Sequence, residues 1–348
     1  MSVSRMKSAS CTGMLLLALI LRTSALELLL PTENQHLFSG QPDRFYMYVD
    51  RTFEGQVTKP WEGGSYGFVR TPLRVNNEVI LTKFHEGIDI APIKRDKAGN
   101  PLDLIMSISA GRVVHTSRIA GRSNYGCYVV VEHDWEGSKL YSVYAHMAEI
   151  TVEPGDMVKP GSVLGRMGYT GAGINRTRAH LHLELAMLMS HRYEDWHSHH
   201  FASPNHHGSF NGMNLAGVDV ASFFLAHREN PELRFSGFVL SQPVQFKVVV
   251  PATHERPGFL TRYPWLELEG AAVPRSWEIG FSATGHVISF TPSERTVREP
   301  VVSHIRPAQI DQSHLTRGLI AGSGHHAVLT RDGNRLVSLI MDDFPASD

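Results

Sequence analysis

Apolar and polar positions along most of this chain alternate in short runs broken by glycine and proline, the pattern of a β protein. The clearest run is Arg178-Ala-His-Leu-His-Leu-Glu-Leu185. Its period of two puts His180, His182 and Glu184 on one face of a strand and Leu181, Leu183 and Leu185 on the other, as in a half-buried strand. Residues 104–108 and 111–115 read as strands flanking a tight connection at Ser109-Ala110. The β-branched run at 128–133 and the run at 140–147 read as two more, with Glu136-Gly137 as a hairpin turn between them. Glu153-Pro-Gly-Asp156, Lys159-Pro-Gly161 and Thr170-Gly-Ala-Gly173 mark further turns. Short strands at such regular intervals predict a mostly β fold: an antiparallel sheet, sandwich or partial barrel.

The flanks differ. Residues 26 to about 60 are irregular and proline-punctuated, with a strand expected at 45–49. After Leu188, His191, His197, His199, His200, His206 and His207 crowd a polar stretch, read as a solvated surface insertion over 190–210 in preference to a second metal site. Residues 219–227 have helical spacing. From residue 235 strand-like runs return, at 246–250, 287–290 and 336–340. The expected organisation is a main domain over 26–235 and a smaller β-rich accessory domain over 236–348.

The N-terminus has the form of an export signal. Arg5 and Lys7 precede the apolar run 14–21, and Thr23-Ser-Ala25 supplies small residues for cleavage after residue 25. The run is shorter than the ~20 residues of a comfortable membrane span, so the mature protein is expected to be soluble and periplasmic or extracellular. Cleavage would leave Cys127 as a single, buried thiol. Composition narrows the chemistry. The 348 residues are 42% hydrophobic and 19% charged with a net charge of −1, which gives no electrostatic footprint for nucleic acid. Twenty histidines against two cysteines disfavour a disulfide framework or a cysteine-bound structural zinc, and leave a His/Asp/Glu metal site open.

Three stretches carry candidate chemistry. The His180/His182/Glu184 face is a platform for metal binding or for acid–base work. Phe84-His-Glu-Gly-Ile-Asp-Ile90 offers an imidazole and a carboxylate that suit zinc, with Gly87 favouring a tight strand or turn over a helix. Tyr144-Ala-His146 places a third histidine on a strand. Arg70 and Lys83 are candidates for lining a groove for an anionic peptide.

Taken together and in order, these stretches resemble the lysostaphin-type, or LytM-like, zinc metallopeptidases. The resemblance runs from about Tyr66 to Leu185 and includes Gly67-Phe-Val-Arg70, Ala110-Gly-Arg-Val-Val114, Tyr125-Gly-Cys-Tyr-Val-Val-Val-Glu-His133 and Pro154-Gly-Asp-Met-Val-Lys-Pro-Gly161. It implies a β-sheet groove with one Zn²⁺ on its floor, held by His85, Asp89 and His182 with a fourth position left open. His146 and His180 are implied as the catalytic histidines beside the water and the scissile carbonyl. The implied function is an exported endopeptidase cleaving peptide bonds in peptidoglycan, with a histidine as general base because no H-E-x-x-H helix is present. Glu184 reads either as an orienting partner of an imidazole or as a solvated carboxylate at the strand end. The chain departs from the family at Arg178-Ala179, at 172–177 and in the His-rich stretch, none of which is a ligand position. Competing readings are a non-catalytic LytM-like activator of other wall hydrolases, a zinc peptidase acting on proteins, and a carbohydrate-binding β-module.

Overall fold

The computed structural model describes residues 26–252 and 256–346; the expected signal segment 1–25 lies outside them. The chain is mostly β, and every ladder between its named strands is antiparallel. The central sheet runs in the order Met157–Val158, Gly111–Ser117, Tyr128–Trp135, Ser138–Ala145, Leu181–Leu188, Leu215–Gly217, with Ile88–Ile90 also pairing to Leu181–Leu188. Glu136 and Gly137, at φ 56 and 73, form the hairpin turn expected between two of these strands. Among the described residues no sheet closes into a barrel.

Period-two alternation sorts the central sheet into two cores. Val129, Val131, Tyr144, Leu181, Leu183 and Leu185 face the main core, while Tyr128, Val130, Tyr141, Val143, Ala186 and Leu188 face a second one. The Leu181–Leu188 strand is therefore buried along its whole length, not half-buried as the alternation suggested. Its polar residues are covered by other parts of the chain. Each fully buried leucine here contributes about 2 kcal/mol through area removed from water.

The His-rich stretch is solvated at His191, His199 and His206, as expected, but it is not wholly a loop and is tied to the fold. Tyr193–His200 is a helix whose Tyr193, Trp196 and His197 are buried, and Trp196 Nε1 bonds the Arg335 carbonyl. Further on, Phe210 packs against the second core, and the Tyr128 hydroxyl and His207 Nδ1 are 2.8 Å apart. Aromatic side chains between the histidines anchor the segment.

One expected strand is only partly formed and another is a helix. At 45–49 Phe45 ends the short helix Pro42–Phe45, with proline in its first turn where the missing N–H costs nothing, and Tyr46 then bridges Ile90 antiparallel while Met47 N bonds the Asp89 carbonyl at 2.8 Å. At 336–340 the chain forms Arg331–Met341, whose Thr330 hydroxyl caps Gly333 N. Its apolar residues Val337, Ile340 and Met341 recur at helical spacing and face inward. Residues 235–240 are likewise helical, as Phe235–Leu240. The expected helix at 219–227 is present as Val220–Glu229, capped by Asp219. Beyond it Val287–Ser293, Ser276–Phe281, Phe246–Pro251 and Val301–Ile305 form a four-stranded sheet whose apolar residues join the main core. Cys127 is half-buried and not paired in a disulfide. No helix among the described residues is long and apolar enough to cross a membrane.

Candidate active site

Sheet register assembles the candidate residues. The first half of Leu181–Leu188 lies between two strands, so that His182 stands opposite Asp89 on one side and Ala145 on the other. His146 follows Ala145 directly. His85 ends the hairpin strand Glu78–His85 and pairs with Gly67. Between His85 and Asp89 the chain passes so close to the next strand that a Cβ on Gly87 would lie 2.4 Å from the Leu183 carbonyl oxygen. The glycine expected to enforce a turn there is required by close approach.

His85 Nε2, Asp89 Oδ1 and His182 Nδ1 form a triangle with edges of 3.1, 3.0 and 3.1 Å. All three side chains are buried. The outward nitrogen of each ring fixes its tautomer. His85 Nδ1 donates to the Ser65 carbonyl at 2.8 Å, and His182 Nε2 donates to Glu184 Oε1 at 2.9 Å. In the neutral tautomer each ring therefore aims a lone pair inward, at the other ring and at a carboxylate oxygen. Three acceptors converging in a buried space repel one another unless a cation lies between them. Tetrahedral zinc with bonds of about 2.0–2.1 Å sets ligand atoms about 3.3 Å apart, close to the edges found. The donor set fits Zn²⁺. These residues are also the group of metal-ligating side chains that stands out among the described residues; the His-rich stretch provides no second one.

Without a metal the protons respond to the same field. Burial opposes charge on His182, but its bonds to Asp89 and Glu184 outweigh it and raise its pKa to about 10. Asp89 is held well below the carboxylate range despite burial, by His85, His180 and His182. Its other oxygen accepts from Arg70 Nη2 at 2.6 Å, so Arg70 orients the carboxylate.

The remaining two histidines complete the cluster. His146 Nδ1 lies 2.9 Å from the Thr170 carbonyl, and His180 Nδ1 lies 2.6 Å from the Arg178 carbonyl. Each nitrogen must donate there, which leaves Nε2 as the acceptor. His180 Nε2 is 3.4 Å from Asp89 Oδ1, and the rings of His146 and His180 are 4.8 Å apart. Burial, reinforced by His180 and His182, lowers the His146 pKa well below its usual value. His146 also sits at φ 63, a left-handed backbone that costs a non-glycine residue about 1 kcal/mol. The peptide on either side holds it there, through His146 N to the Tyr125 carbonyl and Met147 N to the Cys127 carbonyl, both at 2.9 Å.

All five residues picked from the sequence thus share one site. Glu184 joins them. It is 1% exposed, and Oε1 accepts from both His182 and the Tyr125 hydroxyl, the latter at 2.6 Å. The solvated alternative for Glu184 is excluded. Tyr125 carried no signal in sequence, because its partner is distant along the chain. The cluster lines the floor of a cleft of about 610 Å³ whose walls include Val49, Arg51, Phe84, Glu86 and Arg178. One wall therefore comes from the N-terminal segment.

Residues 83–193 match the model of peptidase family M23, the domain in which all five candidate residues lie. The resemblance read from the motifs is borne out. The chain is also similar to several solved structures. One is the catalytic domain of the antimicrobial peptidase lysostaphin from Staphylococcus simulans, at 21% identity over 56% of this chain and 98% of that one, with a TM-score of 0.30. Another is a zinc-containing peptidase from Vibrio cholerae, at 26% identity over 41% of this chain and 36% of that one, with a TM-score of 0.26. A third is a variant of the catalytic domain of the prophage-encoded M23 protein EnpA from Enterococcus faecalis. It is 26% identical over 40% of this chain and 79% of that one, with a TM-score of 0.24.

Proposed function

We propose that this protein is an exported zinc metalloendopeptidase that hydrolyses peptide bonds in peptidoglycan. The observation that carries the proposal is the convergence of two imidazole lone pairs and a carboxylate oxygen, within 3.1 Å of one another, on the floor of an open cleft. His85 Nε2, Asp89 Oδ1 and His182 Nδ1 would hold one Zn²⁺ and leave one position free. When bound, zinc supplies Lewis acidity that polarises a peptide carbonyl and acidifies water.

The chain's own residues do the rest. His146, kept neutral by burial and fixed by Thr170, presents Nε2 as a proton acceptor toward the cleft. It can take a proton from the attacking water and return it to the departing amine. His180, held by Arg178 beside Asp89, turns Nε2 to the same space and, when that nitrogen also carries a proton, would donate to the oxygen on which negative charge develops. Glu184 and Tyr125 hold the His182 ring in its tautomer. The cleft wall from the N-terminal segment shapes the groove without closing it. In this reading residues 26–235 are the peptidase unit, 236–348 the accessory one, and 1–25 the removed export signal.

The test is digestion of purified peptidoglycan by wild type, His182→Ala and chelator-treated protein. Wild type should release new amino termini, and both the substitution and the chelator should abolish that release. Equal release by His182→Ala would sink the proposal.

A further inference from the structure

Most cations around the cleft already have partners. Arg51 bonds Glu62 and the Val69 carbonyl, Arg70 bonds Asp89 and the Gly63 carbonyl, and Arg178 bonds the Tyr48 carbonyl. Lys83 differs: it lines the cleft, is exposed, and forms no ion pair among the described residues.

A second cation without a carboxylate partner packs against that wall from far along the chain. Arg317 follows the short helix Gln312–Leu315, outside the M23 match, and its guanidinium lies 4.4 Å over the ring of Phe84. Phe84 neighbours Lys83, lines the cleft, and is met edge-on by Tyr66 with ring centres 5.3 Å apart. One Arg317 nitrogen, Nη1, donates to the Thr284 carbonyl at 3.1 Å. Among the described residues Arg317 forms no ion pair with any carboxylate, though Glu86 and Glu184 act on it electrostatically. Stacking on an aromatic ring uses only the flat face of a guanidinium. The N–H donors in its plane stay available, in the geometry that grips a carboxylate.

The backbone beneath Arg317 is built to hold it. Arg317 and Gly318 stand at φ 57 and 75, two left-handed residues in a row. Gly318 N bonds the Ser313 carbonyl at 2.8 Å, and buried Thr316 bonds the Gln312 carbonyl at 2.7 Å. Arginine is a poor choice for such a backbone, and a residue kept there against preference points to a use for its side chain.

We propose that Arg317 is a specificity residue of the cleft and that it takes a carboxylate of an acidic peptide lying across Phe84. This rests on the reading of the cleft as a peptide groove. The function of the C-terminal part would then include completing the substrate site, not only packing behind it.

The test uses the full chain and a synthetic stem pentapeptide with its carboxyl groups either free or converted to carboxamides. Calorimetric affinity for each form is measured beside its cleavage. Arg317→Asn removes the cation while tolerating the left-handed backbone, and Arg317→Lys keeps the charge without the fork. Wild type should bind the free acid at least about tenfold more tightly. Arg317→Asn should bring that ratio close to one, and Arg317→Lys should leave an intermediate ratio. No preference in wild type, or an undiminished one in Arg317→Asn, would overturn the proposal. So would equal weakening toward both peptides, because Arg317 would then only balance the charge of Glu86. A preference for the free acid without any cleavage would leave this inference standing and remove the peptidase reading instead.

Discussion

Glu184 is where the structure most changes what a substitution should do. Its Oε1 accepts from His182 Nε2 at 2.9 Å and from Tyr125 at 2.6 Å, inside a site that excludes water. Glu184→Gln keeps a carbonyl oxygen where both donors aim but removes the charge. Loss of such an outer-sphere partner costs about 10–100-fold in metal affinity, or about 1.4–2.7 kcal/mol. The glutamine variant should lie near the low end. Glu184→Ala also strands two buried donors at about 1–3 kcal/mol each. It should therefore reach the high end for affinity and unfold several degrees earlier even without metal. Zinc affinity is read by competition with a chromophoric chelator, and stability by thermal melts of chelator-treated and zinc-loaded protein. A Glu184→Ala protein with zinc affinity within twofold of wild type would refute the reasoning, because the His182 tautomer would then not depend on its carboxylate.

Two further outcomes follow from other buried groups. His146→Asn and His146→Ala should both lose at least about 100-fold in kcat, but the asparagine variant should be the more stable by up to about 1 kcal/mol, because it tolerates φ 63 better; equal stability in denaturant melts would argue against backbone strain at His146. Acid should destabilise the fold through His133, whose burial lowers its pKa from 6.5 to about 4. The unfolded chain binds that proton more readily, so the neutral form's stabilisation is present above about pH 6.5 and is lost as pH falls toward 4, by at most ~3 kcal/mol. Replacement by glutamine should flatten the stability profile across that window, and an unchanged slope in pH-resolved melts would refute the assignment.

The residues of the cluster were legible in sequence from short motifs, and their division into candidate ligands and catalytic histidines came from the family resemblance. Period two put His180 and His182 on one face of a strand, and the tight passage at Gly87 set His85 and Asp89 side by side. What alternation could not reveal was how much of the chain covers that face. Glu184 shares parity with His182, yet it is buried against Tyr125, far along the chain. The stretch beyond Leu188 exposes His191, His199 and His206 to water, while Tyr193, Trp196 and Phe210 tie it to the fold. At 336–340 a run of apolar residues suited a strand, and the cap at Thr330 with the i, i+3, i+4 spacing of Val337, Ile340 and Met341 made it a helix. Short apolar runs do not distinguish the two periods; their ends do.

The site also divides by how its parts are held. His182, Asp89 and His85 are placed by strand register, where displacement of one residue would move every neighbour, so their geometry is stiff. His146 and Arg317 instead stand at left-handed backbone positions, one on the floor of the cleft and one over Phe84 of its wall. Register suits groups that must keep a triangle of about 3 Å edges whatever peptide arrives. Turns suit groups that must meet the substrate from outside the sheet plane, which no strand can do for itself. The backbone cost at each is about 1 kcal/mol, and in the proposed reading both are places where a side chain leaves the sheet to reach a peptide.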